Sequence, residues 1–292
     1  MICSQCPRSC AAQRTMDSDA GLCRMPALPV LARAALHHWE EPPISGTRGS
    51  GTIFFSGCAL GCVFCQNEQI SHHDFGRPVS PERLAELCHA LVAQGAHNIN
   101  LVNPTHFSHV VTQLLGDISL PVPVVWNSGG YDSVDTLKGL EGKISVYLPD
   151  LKYLDGETAS RYSAAPDYPA VATAAIREMV RQAGPYQLSA DGLLQRGVLI
   201  RHLILPGQVA QAKAVMDWVA GEFSPGTVLF SLMSQYTPWG DLSATPELNR
   251  PLRRSEVASA TAYLQNLGLA GFSQERDSAR AEYTPAFDLT GL

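Results

Sequence analysis

Three cysteines fall on one short stretch, Ser56-Gly57-Cys58-Ala-Leu-Gly-Cys62-Val-Phe64-Cys65-Gln66-Asn67, with the spacing C-x3-C-x2-C. Thiolates this close together suit convergence on a metal better than pairing as bridges. Three of them can hold three corners of a cubane cluster, with Gly57 and Gly61 letting the backbone bend round it. A [4Fe–4S] cluster takes four ligands, so a loop that supplies three leaves one iron open to a non-protein ligand. The other chemistry open to this loop is a structural zinc site completed by His72 or His73. A second set, Cys3-x2-Cys6-x3-Cys10-x12-Cys23, offers four thiolates, enough for a closed site. Structural zinc usually shows two separated C-x2-C knuckles, whereas three close cysteines and a distant fourth are more like a ferredoxin-type cluster. A [4Fe–4S] cluster and zinc both stay open for it.

Seven of the eight cysteines lie in these two clusters and the chain shows no export signal, which reads as a reducing, cytoplasmic setting. The eighth, Cys88, lies on the apolar stripe of a helix and reads as an inert core thiol. The chain has 292 residues, 45% of them hydrophobic and 16% charged, which supports a sizeable core and excludes a disordered chain. No apolar run reaches the length of a membrane span. A formal net charge of −6 gives no reason to expect nucleic acid as a partner.

The elements that must position these cysteines follow from periodicity. Residues 1–45 hold four cysteines, several prolines and little periodicity, so they read as a small cysteine-rich segment stapled by metal. Residues 46–292 read as the main domain. Strands are predicted at Thr52–Phe55, Ile99–Val102, Val122–Trp126, Ile144–Leu148, Val198–Leu205 and Val228–Met233. Helices alternate with them: one capped by Ser80 with Pro81 in its first turn, then Phe107–Leu115, Val134–Leu140, one from an Asp167 cap to Arg181, Ala210–Ala220 and Ser255–Leu267. About six βα units imply an α/β fold with a parallel sheet, open or curved into a full or partial barrel. In such folds the residues just after each strand carry the chemistry. Those residues are Asn103-Pro104-Thr105-His106, Asn127-Ser128-Gly129-Gly130, Asp150-Leu151-Lys152 and Gln235-Tyr236. His106 follows a strand and is a candidate site residue; His109 is expected on the helix surface.

The three-cysteine spacing, the aromatic Phe64 before its last cysteine and its position after the first strand together resemble the radical S-adenosylmethionine (SAM) superfamily. Across nearly the whole chain the sequence looks closest to the pyruvate formate-lyase-activating-enzyme-like branch, in particular a group of uncharacterised homologues. The segments that carry this are His38-Trp-Glu-Glu-Pro-Pro-Ile-Ser-Gly-Thr47, Gly95-Ala-His-Asn-Ile-Asn-Leu-Val102, Arg201-His-Leu-Ile-Leu-Pro206 and Met233-Ser-Gln-Tyr236. The resemblance implies a partial (β/α)6-type barrel of the radical SAM core. It implies that Cys58, Cys62 and Cys65 bind the catalytic cluster and that SAM chelates the open iron. The reduced cluster would then give an electron to the sulfonium, and a 5′-deoxyadenosyl radical would abstract hydrogen from a substrate.

By the same resemblance Phe64 lies near the adenine, and Asn127, Ser128, Asp150 and Lys152 line the methionine and ribose end of SAM. Arg201 matches an activase arginine strand, and Gln235 occupies a position that reaches towards SAM. Asp150-Leu151-Lys152 matches the activase Asp-Leu-Lys motif directly. The activase Gly-Gly-Glu turn is replaced by Asn103-Pro104-Thr105-His106, where Asn103 and Thr105 offer neutral acceptors in place of a carboxylate. The implied partners are a glycyl radical enzyme or other protein substrate and a flavodoxin- or ferredoxin-type electron donor. Hydrogen abstraction from a small molecule or peptide is the second reading. A metal-binding sensor without turnover is a third, against which the open iron argues.

Overall fold

The computed structural model describes residues 2–16, 21–273 and 285–292. The strands are β1 (Val30–His37), β2 (Ser50–Phe55), β3 (Arg77–Pro78), β4 (Ile99–Val102), β5 (Val124–Ser128), β6 (Val146–Pro149), β7 (Gln187–Leu188), β8 (Leu194–Leu203), β9 (Leu229–Met233) and β10 (Gly271–Ser273). The helices are α1 (Pro42–Ser45), α2 (Glu68–Ser71), α3 (Pro81–Ala93), α4 (Ser108–Asp117), α5 (Val134–Gly139), α6 (Gly156–Ser163), α7 (Tyr168–Ala183), α8 (Val209–Glu222) and α9 (Arg254–Leu267). No described helix is long and apolar enough to cross a membrane.

One sheet runs in the order β10-β9-β8-β6-β5-β4-β2-β1-β3, with β7 paired to β8. Every neighbour from β2 to β10 along that path is parallel. β1 is antiparallel to β2, and β3 to β1. The path has two ends and does not close, so the α/β sheet forms the partial barrel expected from the strand–helix alternation. All six predicted strands are present. The sequence placed a domain boundary at 45/46. β1 lies before it and pairs with β2 from Leu31 to His37, so residues 30–37 join the core sheet.

Alternation along the strands sorts the side chains into two layers. Leu101, Trp126, Tyr147, Val198, Ile200 and Phe230 share a core with the helices. Val125, Val146, Leu148, Leu199 and Leu229 point the other way and enclose Ile44 of α1. Their neighbours two residues on are Asn127, Asp150, Arg201 and Ser231, so the concave face is apolar near the strand N-termini and polar above. The α1 segment thus closes the floor. It is held there by Asn98, whose amide donates to the Ile44 carbonyl at 2.7 Å while its oxygen accepts from Ser50 Oγ at 2.6 Å.

Local signals explain most boundaries. Ser80 Oγ accepts from Arg83 N at the start of α3, as its position before Pro81 predicts. Asp167 stands at the N-cap of α7, as expected, but its side chain makes no capping bond; its carboxylate accepts from the Tyr131 hydroxyl at 2.8 and 2.9 Å instead. α6, unforeseen in the sequence, is capped by Asp155, which accepts from Glu157 N and Thr158 N. At Gly130 φ is +76°, and a Cβ would collide with the Asp150 carbonyl, so only glycine lets β5 and β6 end side by side.

Ile44 is fully buried at the floor. Ile44→Ala is expected to destabilise the protein by about 2–5 kcal/mol in urea unfolding. A loss under about 1 kcal/mol would mean that α1 does not plug the sheet.

Candidate active site

The three cysteines stand on the loop from β2 to α2, and the loop is sewn down on both sides. Gly57 N donates to Ile70 O at 2.7 Å, Gly61 N to Ser163 O at 3.2 Å and Val63 N to Tyr162 O at 2.9 Å. Each sulfur has a polar neighbour. Leu60 N donates to Cys58 Sγ at 3.3 Å, Cys62 Sγ lies 3.0 Å from Ser163 Oγ, and Cys65 Sγ lies 3.3 Å from Ser71 Oγ. Burial, reinforced by the mutual charge of the other thiols, pushes Cys58 up to about 12 and Cys65 up to about 11. Lys152 works against this at both sulfurs.

That donor set fits an iron–sulfur cluster. Thiols raised in this way ionise near neutral pH only when a cation neutralises them. Among the described residues no group of three or more Cys, His, Asp or Glu is set to hold one metal ion, and this includes a combination with His72 or His73. A cubane is wider than an ion: each thiolate binds its own iron, so its ligands need not meet at a point.

The strand ends place the other candidates round this loop, but not all in one role. Phe64, Asp150 and Lys152 line a narrow cleft with Tyr153, Leu203 and Leu205. The Phe64 ring meets Tyr236 edge-on, 6.2 Å between centroids. Asn103 adopts φ +57°, so its side chain turns back to the cluster loop: Nδ2 donates to Gly57 O at 2.6 Å, and Oδ1 sits 3.7 Å from Cys58 Sγ. Gln235 Oε1 is buried without a hydrogen-bond partner, as an atom awaiting a ligand donor would be. Thr105 and Ser128 face elsewhere. Their hydroxyls donate to the buried Asp132 at 2.6 and 2.5 Å, and Trp126 Nε1 joins at 3.3 Å. Burial raises Asp132, and these three hydrogen bonds oppose it.

Below the cleft runs a charged network. Arg201 donates through Nε to Asp150 Oδ1 at 3.0 Å, through Nη2 to Asn127 Oδ1 at 2.8 Å and through Nη1 to Glu40 Oε1 at 2.9 Å. Lys152 Nζ donates to Asp150 Oδ2 at 2.6 Å. Burial would raise Asp150, but Arg201 and Lys152 outweigh it and hold the carboxyl below its usual range. Burial would likewise lower Lys152, but Asp150 and Cys62 keep it charged. Sequence reasoning missed Glu40, Asn100 and Tyr168. Glu40 lies in the quoted His38-Trp-Glu-Glu segment, where two adjacent acids beside an apolar stretch were the available signal. Tyr168 OH donates to the carbonyls of Gly129 and Asp150 and accepts from Lys152 N, pinning two strand ends together.

The N-terminal cysteines lie at this same end of the sheet. Cys3, Cys6 and Cys23 are buried and Cys10 is half-buried. Burial pushes Cys6 up to about 11, with Cys23, Cys3 and Cys10 adding to it, so the four thiols are mutual neighbours. Their segment touches the cluster loop directly. Arg8 Nε donates to Ala59 O at 2.8 Å, and a Cβ on Gly57 would lie 2.9 Å from the Cys23 carbonyl oxygen. Arg14 Nη1 donates to His106 O at 2.6 Å and lies 3.6 Å from Cys3 Sγ. His106 is a buried strut, not a cleft residue: Nε2 donates to Ser56 O at 2.7 Å. His109, expected on the helix surface, is half-buried and donates to Ala27 O at 3.1 Å. Cys88 is buried in the core, as expected.

Residues 45–158, which contain the cluster loop, match the family described as a 4Fe-4S single cluster domain. A radical SAM methyltransferase from Sphaerobacter thermophilus superposes with a TM-score of 0.51 at 13% identity, over 76% of this chain and 66% of that one. The two chains share a fold. SuiB of Streptococcus suis aligns with a TM-score of 0.48 at 14% identity, over 80% of this chain and half of that one, so both solved proteins are longer than the part matched. The uncharacterized protein MJ0674 of Methanocaldococcus jannaschii is 28% identical over 268 residues, covering 88% of this chain and 72% of that one. Within this shared fold, the cysteine loop follows the first parallel strand, and the cleft lies at the strand C-termini beside it.

His202, on β8 beneath the cleft, gives a pH signature. Burial lowers it to about 4, and its Nδ1 donates to Leu151 O at 2.7 Å. Between its ordinary value near 6.5 and about 4 the unfolded chain binds a proton that the folded one does not. Its contribution is therefore complete above about pH 6.5 and falls with pH by about 1.4 kcal/mol per unit through that window. His202→Gln keeps a donor for Leu151 and is expected to flatten the fall, measured by urea unfolding between about pH 7 and 5. Equal slopes in the two proteins would contradict the assignment.

Proposed function

We propose that the protein is a radical SAM enzyme that cleaves SAM reductively at a [4Fe–4S] cluster held by Cys58, Cys62 and Cys65. The observation that carries this reading is three closely spaced thiols on one strand-end loop, Cys62 buried and Cys58 and Cys65 half-buried, beside a cleft lined by Phe64, Asp150 and Lys152. A [4Fe–4S] cluster held by Cys58, Cys62 and Cys65 would supply the one-electron reduction that SAM cleavage needs. The chain's own residues do the rest. Lys152 brings the positive charge that offsets the thiolates. Asn103 braces the loop at Gly57, and Gln235 offers its unpartnered oxygen as an acceptor. Phe64 and Tyr236 supply an apolar wall for an adenine ring.

For the substrate we favour a glycyl radical enzyme, with hydrogen taken from a glycine Cα and electrons from a flavodoxin- or ferredoxin-type donor. What supports this is the activase-like Asp150-Leu151-Lys152 motif together with the arginine strand at Arg201. The second reading, hydrogen abstraction from a peptide or small molecule, draws support from the turn after β4. There the activase carboxylate is absent, and Thr105, one of the two candidate replacements, spends its hydroxyl on Asp132. We assign Cys3, Cys6, Cys10 and Cys23 to a second centre, because four neighbouring thiols packed in a small segment need a staple; a [4Fe–4S] cluster is favoured over zinc, since no three of them are set to hold a single ion.

Anaerobically reconstituted protein given dithionite and SAM is expected to form 5′-deoxyadenosine, and the Cys58→Ala/Cys62→Ala/Cys65→Ala variant to form none while staying folded. Product from that variant would refute the assignment. Metal analysis is expected to give about eight irons per chain, or about four irons and one zinc. Four irons without zinc in a fully reconstituted sample would remove the second centre.

A further inference from the structure

The charged network on the concave face has an unusual division of labour. Glu40, in the connection between β1 and α1, splits its carboxylate. Oε1 accepts from Arg201 Nη1 at 2.9 Å, while Oε2 accepts from Asn127 Nδ2 at 2.9 Å and Asn100 Nδ2 at 3.2 Å. Arg201 turns its other edge to Asp150 Oδ1, with Nε at 3.0 Å and Nη2 at 2.9 Å. Asp150 therefore keeps Oδ2 for Lys152 Nζ, 2.6 Å away. All four side chains are at most 20% exposed, so solvent does little to screen them.

A buried guanidinium with one carboxylate partner settles into a bidentate pair, each arm on its own oxygen. Here Nε and Nη2 both meet Oδ1, because Nη2 also serves Asn127 Oδ1 and Lys152 holds Oδ2. Glu40 holds the remaining arm, Nη1, and so sets the orientation in which the guanidinium meets Asp150. Lys152 lines the cleft beside Phe64. The floor of the sheet thus reaches the cleft through three side chains from separate stretches of sequence.

We infer that Glu40 is a positioning residue for the SAM cleft: acting through Arg201, it fixes how Asp150 is shared and so holds the Lys152 ammonium in place. The inference rests on the reading that SAM is the ligand of this cleft. A role confined to stability would leave ligand affinity alone, and the two are separated by a double-mutant cycle on binding.

The test uses reconstituted, oxidised, full-length protein and measures the SAM dissociation constant by calorimetry for wild type, Glu40→Gln, Lys152→Ala and the double variant. Glu40→Gln keeps the shape and removes the charge. It is expected to bind SAM about tenfold more weakly, the scale of one lost charge-assisted hydrogen bond. The double variant is expected to bind within about twofold of Lys152→Ala alone, because both act through one relay. Glu222→Gln, in the surface pair with Arg177, is expected to leave SAM binding unchanged. Affinity of Glu40→Gln within about twofold of wild type, or losses that multiply in the double variant, would overturn the inference. If Glu40→Gln does not fold, Glu40→Asp carries the same test, because it keeps the charge but cannot reach both Arg201 and the asparagines. Unchanged affinity there overturns the inference equally. Wild-type protein that does not bind SAM would overturn the functional reading itself, an outcome distinct from a Glu40 variant that binds normally.

Discussion

Three thiols share one loop, Cys62 buried and Cys58 and Cys65 half-buried, where two of them resist ionising alone. Burial and mutual repulsion hold Cys58 and Cys65 far above neutrality, and Lys152 supplies only part of the charge that would relieve them. Much of the surrounding structure bears on that conflict. The loop is fixed by backbone hydrogen bonds to α2 and α6, which holds the three cysteine backbones in place. Ser163 and Ser71 sit against Cys62 and Cys65, and the N-terminal segment closes over Ala59 and Gly57. A site built this way is a poor place for free thiols and a good one for thiolates on a polynuclear cation.

The sheet explains how a charged network can exist beneath such a site. Parallel strands covered by helices are usually apolar on both faces. Here the concave face changes character along the strands, apolar round Ile44 and polar from Asn100, Asn127, Arg201 and Ser231 upward. Arg201 and Asn127 pair across strands, and Asn100 and Ser231 bond to Glu40 and Glu41 from the connection beneath; an arginine suits the centre because its planar fork can satisfy three partners at once. Lysine at position 201 would satisfy fewer of them. The acids that enter from below, Glu40 and Glu41, belong to the connection that also carries Ile44, so one short segment closes the floor and charges the interior.

Much of this was legible in the sequence because the local signals agree. β-branched strands, the Ser80 cap and the helical stripes gave six of the seven parallel strands, all but β10, and their main helices. The cysteine spacing, Phe64 and Asp150-Leu151-Lys152 marked the site because those residues are adjacent or nearly so in the chain. What was not legible depends on distance. β1 is an antiparallel strand inside a segment that reads as cysteine-rich loop, and its partner β2 is what defines it. Thr105 and Ser128 follow strands as site residues do, yet both turn to Asp132, a choice made by packing. Glu40 meets Arg201 across 161 positions, and no local pattern announces such a pair.

The central claim is that the three-cysteine loop holds a cluster with one iron open to SAM. Electron paramagnetic resonance of the dithionite-reduced protein, recorded with and without SAM, tests it most directly. To isolate this loop, the sample would carry Ala at the four N-terminal cysteine positions. The account predicts a reduced [4Fe–4S] signal whose g-values and line shape change when SAM is added, because SAM binds at the open iron. A cluster signal that SAM leaves unchanged, or no iron–sulfur signal at all from an intact loop, would contradict it.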